Sequence, residues 1–141
     1  MKEHNHKNKE HGENNQQELI YRLAMYEQQI RQLREQLQAV EQGVSEISIL
    51  NLGLDDLKSG RDKDILASVG KGIFAEAKLT SDKLIVDVGN KNFVKKTIPE
   101  TQETIREQIT KLNDVKKELN EHLEMYTKEM RKMLEDFRGE D

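Results

Sequence analysis

The sequence predicts an α+β protein: a long antiparallel two-helix coiled coil with two β-hairpins at its base. Three observations predict it. Apolar residues recur at alternating spacings of four and three over two long stretches, and the stretch between them alternates with a period of two. The composition is also too polar for a thick core. Apolar residues make up 34% and charged residues 35% of the 141 residues, against roughly 45–50% and 25% in ordinary soluble domains. Such a chain can bury a narrow stripe; without the periodicity it would read as disordered.

Residues 1–17 come first and are expected to form a disordered polar tail, since nothing apolar follows Met1 before Glu18. His4, His6 and His11 lie in it, but an unanchored tail supplies no fixed ligand geometry, so no metal site is expected. Residues 18–60 are expected to form the first coiled-coil helix. Leu19, Leu23, Tyr26, Ile30, Leu33, Leu37, Val40, Val44 and Ile47 make the a/d stripe of a heptad repeat. The stripe is expected to continue through Leu50, Leu54 and Leu57 with one phase slip, a local stammer. Ser59-Gly60 supplies the stop.

Residues 61–98 change period. Ile73, Ala75, Ala77 and Leu79 alternate with Phe74, Glu76 and Lys78, and Leu84, Val86 and Val88 alternate with Ile85 and Asp87, the mark of strands. With Ile65–Val69 leading in and Phe93–Ile98 leading out, they make four short strands in two hairpins. Thr80-Ser81-Asp82-Lys83 is expected to turn one hairpin and Gly89-Asn90-Lys91-Asn92 another. Four short strands cannot close a filled barrel, which takes about eight. Their open edges are adhesive, so the segment is expected to pair with β segments of other chains. Val69, Ile73, Phe74, Leu79, Ile85, Val86, Val88, Phe93 and Val94 are the candidate assembly residues.

Residues 99–138 are expected to form the second coiled-coil helix, with residues 139–141 as a short tail. Pro99, the only proline, suits a first helical turn, and Glu100 and Glu103 suit the positive end of the helix dipole. Ile105, Leu112, Leu119, Tyr126 and Met133 recur every seven residues, interleaved with Ile109, Leu123, Met130 and Phe137. Only Lys116 breaks that stripe, with Val115 beside it. Matching stripes in two long helices argue for one antiparallel hairpin.

Several kinds of chemistry are unsupported. Net charge is −4, with 23 basic and 27 acidic residues interspersed, so no nucleic-acid footprint stands out. The absence of cysteine excludes disulfides and thiolate chemistry and fits a reducing cytoplasm. No apolar run approaches the ~18–20 residues of a membrane span, and residues 2–17 are unlike a secretory leader. A cytoplasmic protein without a membrane or nucleic-acid partner is expected. Val69-Gly70-Lys71-Gly72 lacks the first glycine and the Ser or Thr of a phosphate loop, and a glycine turn between strands is expected instead. His122 has no pocket to work in as a base. No catalytic residue and no cofactor is expected.

The helix ends remote from the β segment carry more apolar residues than the seam needs. Ile20, Tyr21 and Met25 flank Leu19, Leu23 and Tyr26; Met125, Leu134 and Phe137 accompany Tyr126, Met130 and Met133. An antiparallel hairpin brings both groups to one end. Methionine is flexible and polarizable, suited to surfaces that accept many partners. These twelve residues are the candidate binding surface; seam packing plus ordinary scattered surface hydrophobes is the bland alternative.

The order of long heptad helix, two hairpins and long heptad helix resembles the α class of prefoldin subunits. The segment ILASVGKGIFAEAKL followed by LIVDVGNKNFVKKTI is similar to that family's paired hairpin motifs, although Lys91 and the pair Ala67-Ser68 depart from the common pattern. The resemblance covers about residues 19–137. It implies a hexamer of two α and four β subunits with an intersubunit β-barrel body. It further implies an ATP-independent chaperone that holds unfolded proteins at the coiled-coil tips and passes them to a group II chaperonin. Two rivals share the architecture: a structural spacer or tether, and a prefoldin relative that assembles with itself into filaments.

Overall fold

A computed structural model of the protein describes residues 2–58 and 60–139, with side chains from residue 14 onward. The chain runs α1 (Lys2–Leu57), β1 (Asp64–Gly70), β2 (Ile73–Lys78), β3 (Lys83–Asp87), β4 (Phe93–Thr97) and α2 (Ile98–Gly139). It divides into two units: residues 42–113, the base unit, and residues 1–41 with 114–141, the coil unit.

In the base unit the core is a single cluster. Leu54, Ile98 and Ile105 are buried, and Ile47, Leu57, Leu84 and Ile109 pack against them. The phase slip expected at Leu50 does not occur there: the heptad of α1 runs on through Asn51 to Leu54, and the short spacing comes only at Leu57 in the last turn. Leu50 is 54% exposed, and Asn51 takes the seam position between Ile47 and Leu54. Opposite it lies Gln102, only 3% exposed, which donates from Nε2 to the Asn51 carbonyl (3.3 Å) and to Asp55 Oδ1 (2.7 Å). A seam layer made of polar residues keeps the seven-residue period but drops out of the apolar pattern. Leu50 only mimics the continuation.

Helix ends are set by local chemistry. Thr97 Oγ1 accepts from the Glu100 N–H at 3.2 Å, which makes Thr97 the N-cap of α2, one residue ahead of the helix. At the C-terminus of α1, the Gly60 N–H donates to the Leu57 carbonyl at 3.2 Å and closes the last turn. A side chain at Gly60 would crowd the Leu57 carbonyl and the Leu79 side chain. Ser59, the other half of the expected stop, lies outside the described residues.

The four strands form two separate antiparallel pairs, β1 with β2 and β3 with β4. The expected hairpin turn at Thr80–Lys83 is instead the link between the pairs. The first hairpin turns at Gly70-Lys71-Gly72, all three with positive φ. Its far end stays tied, since the Asp62 N–H donates to Leu79 O and the Leu79 N–H to Lys63 O. The strand partner of β2 is thus already taken before residue 80. The second hairpin turns at Gly89-Asn90-Lys91 as expected, with Asn90 and Lys91 at φ 50° and 61°. The Asn92 N–H donates to Gly89 O, and Asp87 Oδ1 accepts from the Gly89 N–H.

In the coil unit, α1 and α2 lie antiparallel along one seam. Ile30 is its one buried side chain among the described residues; the other seam positions from Leu19 to Val40 and from Lys116 to Phe137 are half-buried. Lys116 keeps its seam position by reaching out to Glu41, 3.5 Å away, while Val115 is 43% exposed. Helix α1 already begins at Lys2, where the sequence predicts a disordered tail. Residues 14–17 are exposed all round; with no proline to stop it, a helix extends into a polar segment one residue and one backbone bond at a time. The side chains of His4, His6 and His11 and the residues 140–141 lie outside the described residues.

Candidate functional site

Two surfaces collect the residues singled out by the sequence. The first is the end of the coil unit that holds the start of the apolar stripe of α1 and the end of α2. Tyr26 and Tyr126 meet there with ring centroids 5.7 Å apart at 53°, a tilted contact of the kind aromatic pairs favour. The Tyr26 hydroxyl donates to Glu129 Oε2 at 2.7 Å. That bond to a carboxylate raises the Tyr26 pKa above its ordinary value, because losing the proton would face two negative oxygens. One turn further on, Leu19, Met133 and Phe137 line a shallow groove with Asn15, Glu18, Arg22 and Asp136. Leu23 and Met130 are half-buried in the same seam.

The remaining candidates at this end are not in the seam. Ile20 is 65% exposed and Tyr21 66%, and Met25, Met125 and Leu134 are each at least 40% exposed. By heptad position Ile20 and Leu134 are both e residues, while Met25 and Met125 are both c residues. Apolar side chains therefore flank the seam on both sides instead of closing it. The twelve candidates thus separate into seven that hold the helices together and five that face solvent.

The second surface is the outer face of each hairpin. Strand register puts Leu66 opposite Glu76 and Ser68 opposite Phe74 in the first pair, so Leu66 and Phe74 are diagonal neighbours. In the second pair Ile85 faces Lys95 and Asp87 faces Phe93, which makes Ile85 and Phe93 diagonal neighbours too. All four are more than half exposed. Of the other candidates Val69, at the register shift of β1, and Ile73, Val88 and Val94 are exposed, whereas Leu79 and Val86 are half-buried. Leu66 escaped the sequence reading; its pairing with Phe74 follows only once the turn is at residues 70–72. In each two-stranded pair both outer edges lack a strand partner among the described residues.

Elsewhere the chemistry is spare. Val69-Gly70-Lys71-Gly72 is the first hairpin turn, and His122 is exposed on α2. No cluster of three metal-ligating side chains occurs among the described residues, nor is any helix there long and apolar enough to cross a membrane. Among the described residues Asp55 is the carboxylate with a clear shift: the Gln102 amide, then Lys58, hold its pKa below the usual value.

The family model described as "Prefoldin subunit" matches residues 26–139. A prefoldin subunit alpha of Methanobrevibacter smithii is 30% identical over 104 residues, spanning 73% of this chain and 71% of its own length. One from Methanoregula boonei is 31% identical over 121 residues, spanning 83% and 79%. Among solved structures, a filamentous PFD from Methanocaldococcus jannaschii has a similar fold, with a TM-score of 0.69 at 23% identity, over 79% of this chain and 93% of that one.

Proposed function

The chain belongs to the prefoldin family of chaperone subunits, and from that premise we propose that it is an ATP-independent holdase component. It holds non-native proteins at the chain-terminal end of its coiled coil. It assembles through its hairpins with β-class subunits, two α to four β, into a shared β-barrel. The assembly works in the cytoplasm and passes its clients to a group II chaperonin. No step of this requires a catalytic group or a cofactor.

The observation that carries the reading is the surplus at the coil end. Ile20, Tyr21, Met25, Met125 and Leu134 are exposed there and contribute nothing to the seam. Burying one large apolar side chain is worth about 1.5–3 kcal/mol, less the cost of ordering a flexible client. One coil end therefore holds weakly and lets go without fuel. Several ends on one base raise the effective concentration, and avidity strengthens holding by about 10²–10⁴. The open edges of both hairpins support assembly, since unpaired strands seek partners.

Removing residues 1–26 and 126–141 tests the reading. The expected result is loss of aggregation suppression for a chemically unfolded client, with the mass of the assembly otherwise unchanged by light scattering. Full suppression by the truncated assembly would remove the coil end from consideration. Weighing the chain with and without a β-class subunit decides between a partner-requiring subunit and a self-assembling one.

A further inference from the structure

The two flanks of the seam at the coil end are unlike. In an antiparallel pair the e positions of both helices line one flank and the g positions the other, because turning one helix end over end keeps each flank on its own side. The contacts agree. The Tyr26 hydroxyl bonds Glu129, a g residue, across one flank, and Lys116 reaches Glu41, an e residue, across the other. At the coil end the g positions are all polar: Asn15, Arg22, Glu129 and Asp136. Arg22 is already paired with Glu18 at 3.1 Å. Met25 and Met125 share that flank but stand off the seam at c.

The e flank is apolar. Ile20 and Leu134 hold its e positions, and the half-buried a residues Leu23, Met130 and Phe137 lie on the same side. Leu19 and Phe137 line one groove, so the antiparallel run brings Ile20 and Leu134 within about two residues of one level, roughly 3 Å along the axis. They make one patch across the seam, closed by the polar e residues Glu27 and Thr127. Its rim is uneven. The b positions beside it are Arg131 and Arg138 on α2 but Gln17 and Ala24 on α1, all exposed. Arg138 lies in the last turn of α2, where the helix dipole favours a base; Arg131, two turns earlier, has no such reason. Neither arginine has an ion-pair partner among the described residues.

Backbone chemistry decides what such a patch can take. Inside two helices the backbone N–H and C=O groups are bonded within their own helix. An extended segment laid on the patch would find no backbone partner there and would lose water from its own polar groups. A helix brings its backbone bonds with it, and its apolar stripe fits the groove between two others. We infer that the e flank of the coil end seats an amphipathic helical segment of a non-native protein as a third helix, with acidic residues on the edge that meets Arg131 and Arg138. Apolar stripe meets apolar patch, and the charges of the two rims are complementary. The inference rests on the coil-end reading and narrows it, since the patch then prefers helical acidic segments to extended or basic ones.

Three fluorescent peptides of five turns, about 18 residues each, test it by anisotropy with the full-length chain. The first has a leucine stripe at helical spacing and glutamates along its edge. The second has lysine for each glutamate, and the third is the first with a central proline, which breaks a helix. At low salt the first is expected to bind several-fold more tightly than the second, and the third least of all. Arg131→Glu combined with Arg138→Glu is expected to reverse the order of the first two, each exposed ion pair being worth a factor of about 1.4–5. Lys132→Glu, on the other flank, is expected to leave the order unchanged. Undiminished binding of the proline peptide, equal binding of the first two, or charge reversal without effect would each overturn the inference. If no peptide binds while the chain still suppresses aggregation of a denatured client, the inference fails and the coil-end reading stands; if the chain does neither, both fail.

Discussion

The base unit gathers Leu54, Ile98 and Ile105 into one buried cluster, while in the coil unit Ile30 is the one side chain buried to that degree among the described residues. Both use the same heptad spacing on the same two helices. The difference lies in what covers the seam. In the base unit a third element contributes, since Leu84 of β3 packs onto the cluster. In the coil unit two helices have only each other, and a two-helix seam leaves every residue open on its flanks. Regions with few buried apolar contacts open locally at low free energy. That suits the holding role proposed for the coil end, and the base carries more of the buried core.

Core truncation is expected to show this contrast most strongly. Ile105→Ala, at fixed concentration and in the assembled protein, is expected to cost about 2–5 kcal/mol in urea unfolding. Leu33→Ala in the half-buried coil seam is expected to cost well under half of that. Equal losses would mean that the two units are held alike. The polar layer offers a change of opposite sign. Asn51 Oδ1 is buried without a hydrogen-bond partner, a burden of about 1–3 kcal/mol. Asn51→Leu is therefore expected to raise the unfolding midpoint while giving up a polar layer that helps define the register; a lower midpoint would show that the side chain is satisfied in solution.

A smaller gain is expected at the second turn. Lys91 holds a left-handed backbone at φ 61°, which costs a side-chain-bearing residue about 1–2 kcal/mol relative to glycine. Lys91→Gly should recover part of that, offset by the greater freedom of glycine in the unfolded chain, and differential scanning calorimetry reads the balance. Smallest are the pH effects. Asp55 has a lowered pKa in the folded protein, so its contribution is present above the ordinary carboxylate pKa and is lost as pH falls through the folded value. Asp55→Asn should flatten the acid limb of the base unit. Tyr26 behaves in the opposite sense: its pKa is raised, so its contribution is intact below the ordinary tyrosine value and fades as pH climbs through the folded one. Tyr26→Phe should therefore lower stability slightly at neutral pH and flatten the alkaline limb, followed by hydrogen exchange in the coil unit.

Much of this was readable because period is a property of the backbone. Leu19 to Ile47 and Ile105 to Phe137 show a helix seam, and residues 73–88 show strands, whatever else surrounds them. What escaped reading was polar or doubly placed. Asn51 and Gln102 look like surface residues until the two helices face each other, and Leu50 continues the apolar spacing closely enough to take their place. Thr80–Lys83 has the composition of a hairpin turn, yet it only links the two pairs, because β2 is already tied back at Leu79 through its bond to Lys63. At the coil end the heptad spacing already sets Tyr26, Tyr126 and Phe137 in the seam and Ile20, Tyr21 and Met25 beside it, and the exposures follow the same division.

The central claim is that side chains outside the seam at the coil end do the holding. Replacing Ile20, Tyr21, Met25, Met125 and Leu134 together by serine leaves every seam residue in place, and the assembly can then be assayed for suppressing aggregation of a denatured client. The account predicts that suppression disappears while the mass and helix content of the assembly stay as they were. Undiminished suppression by this variant would contradict it.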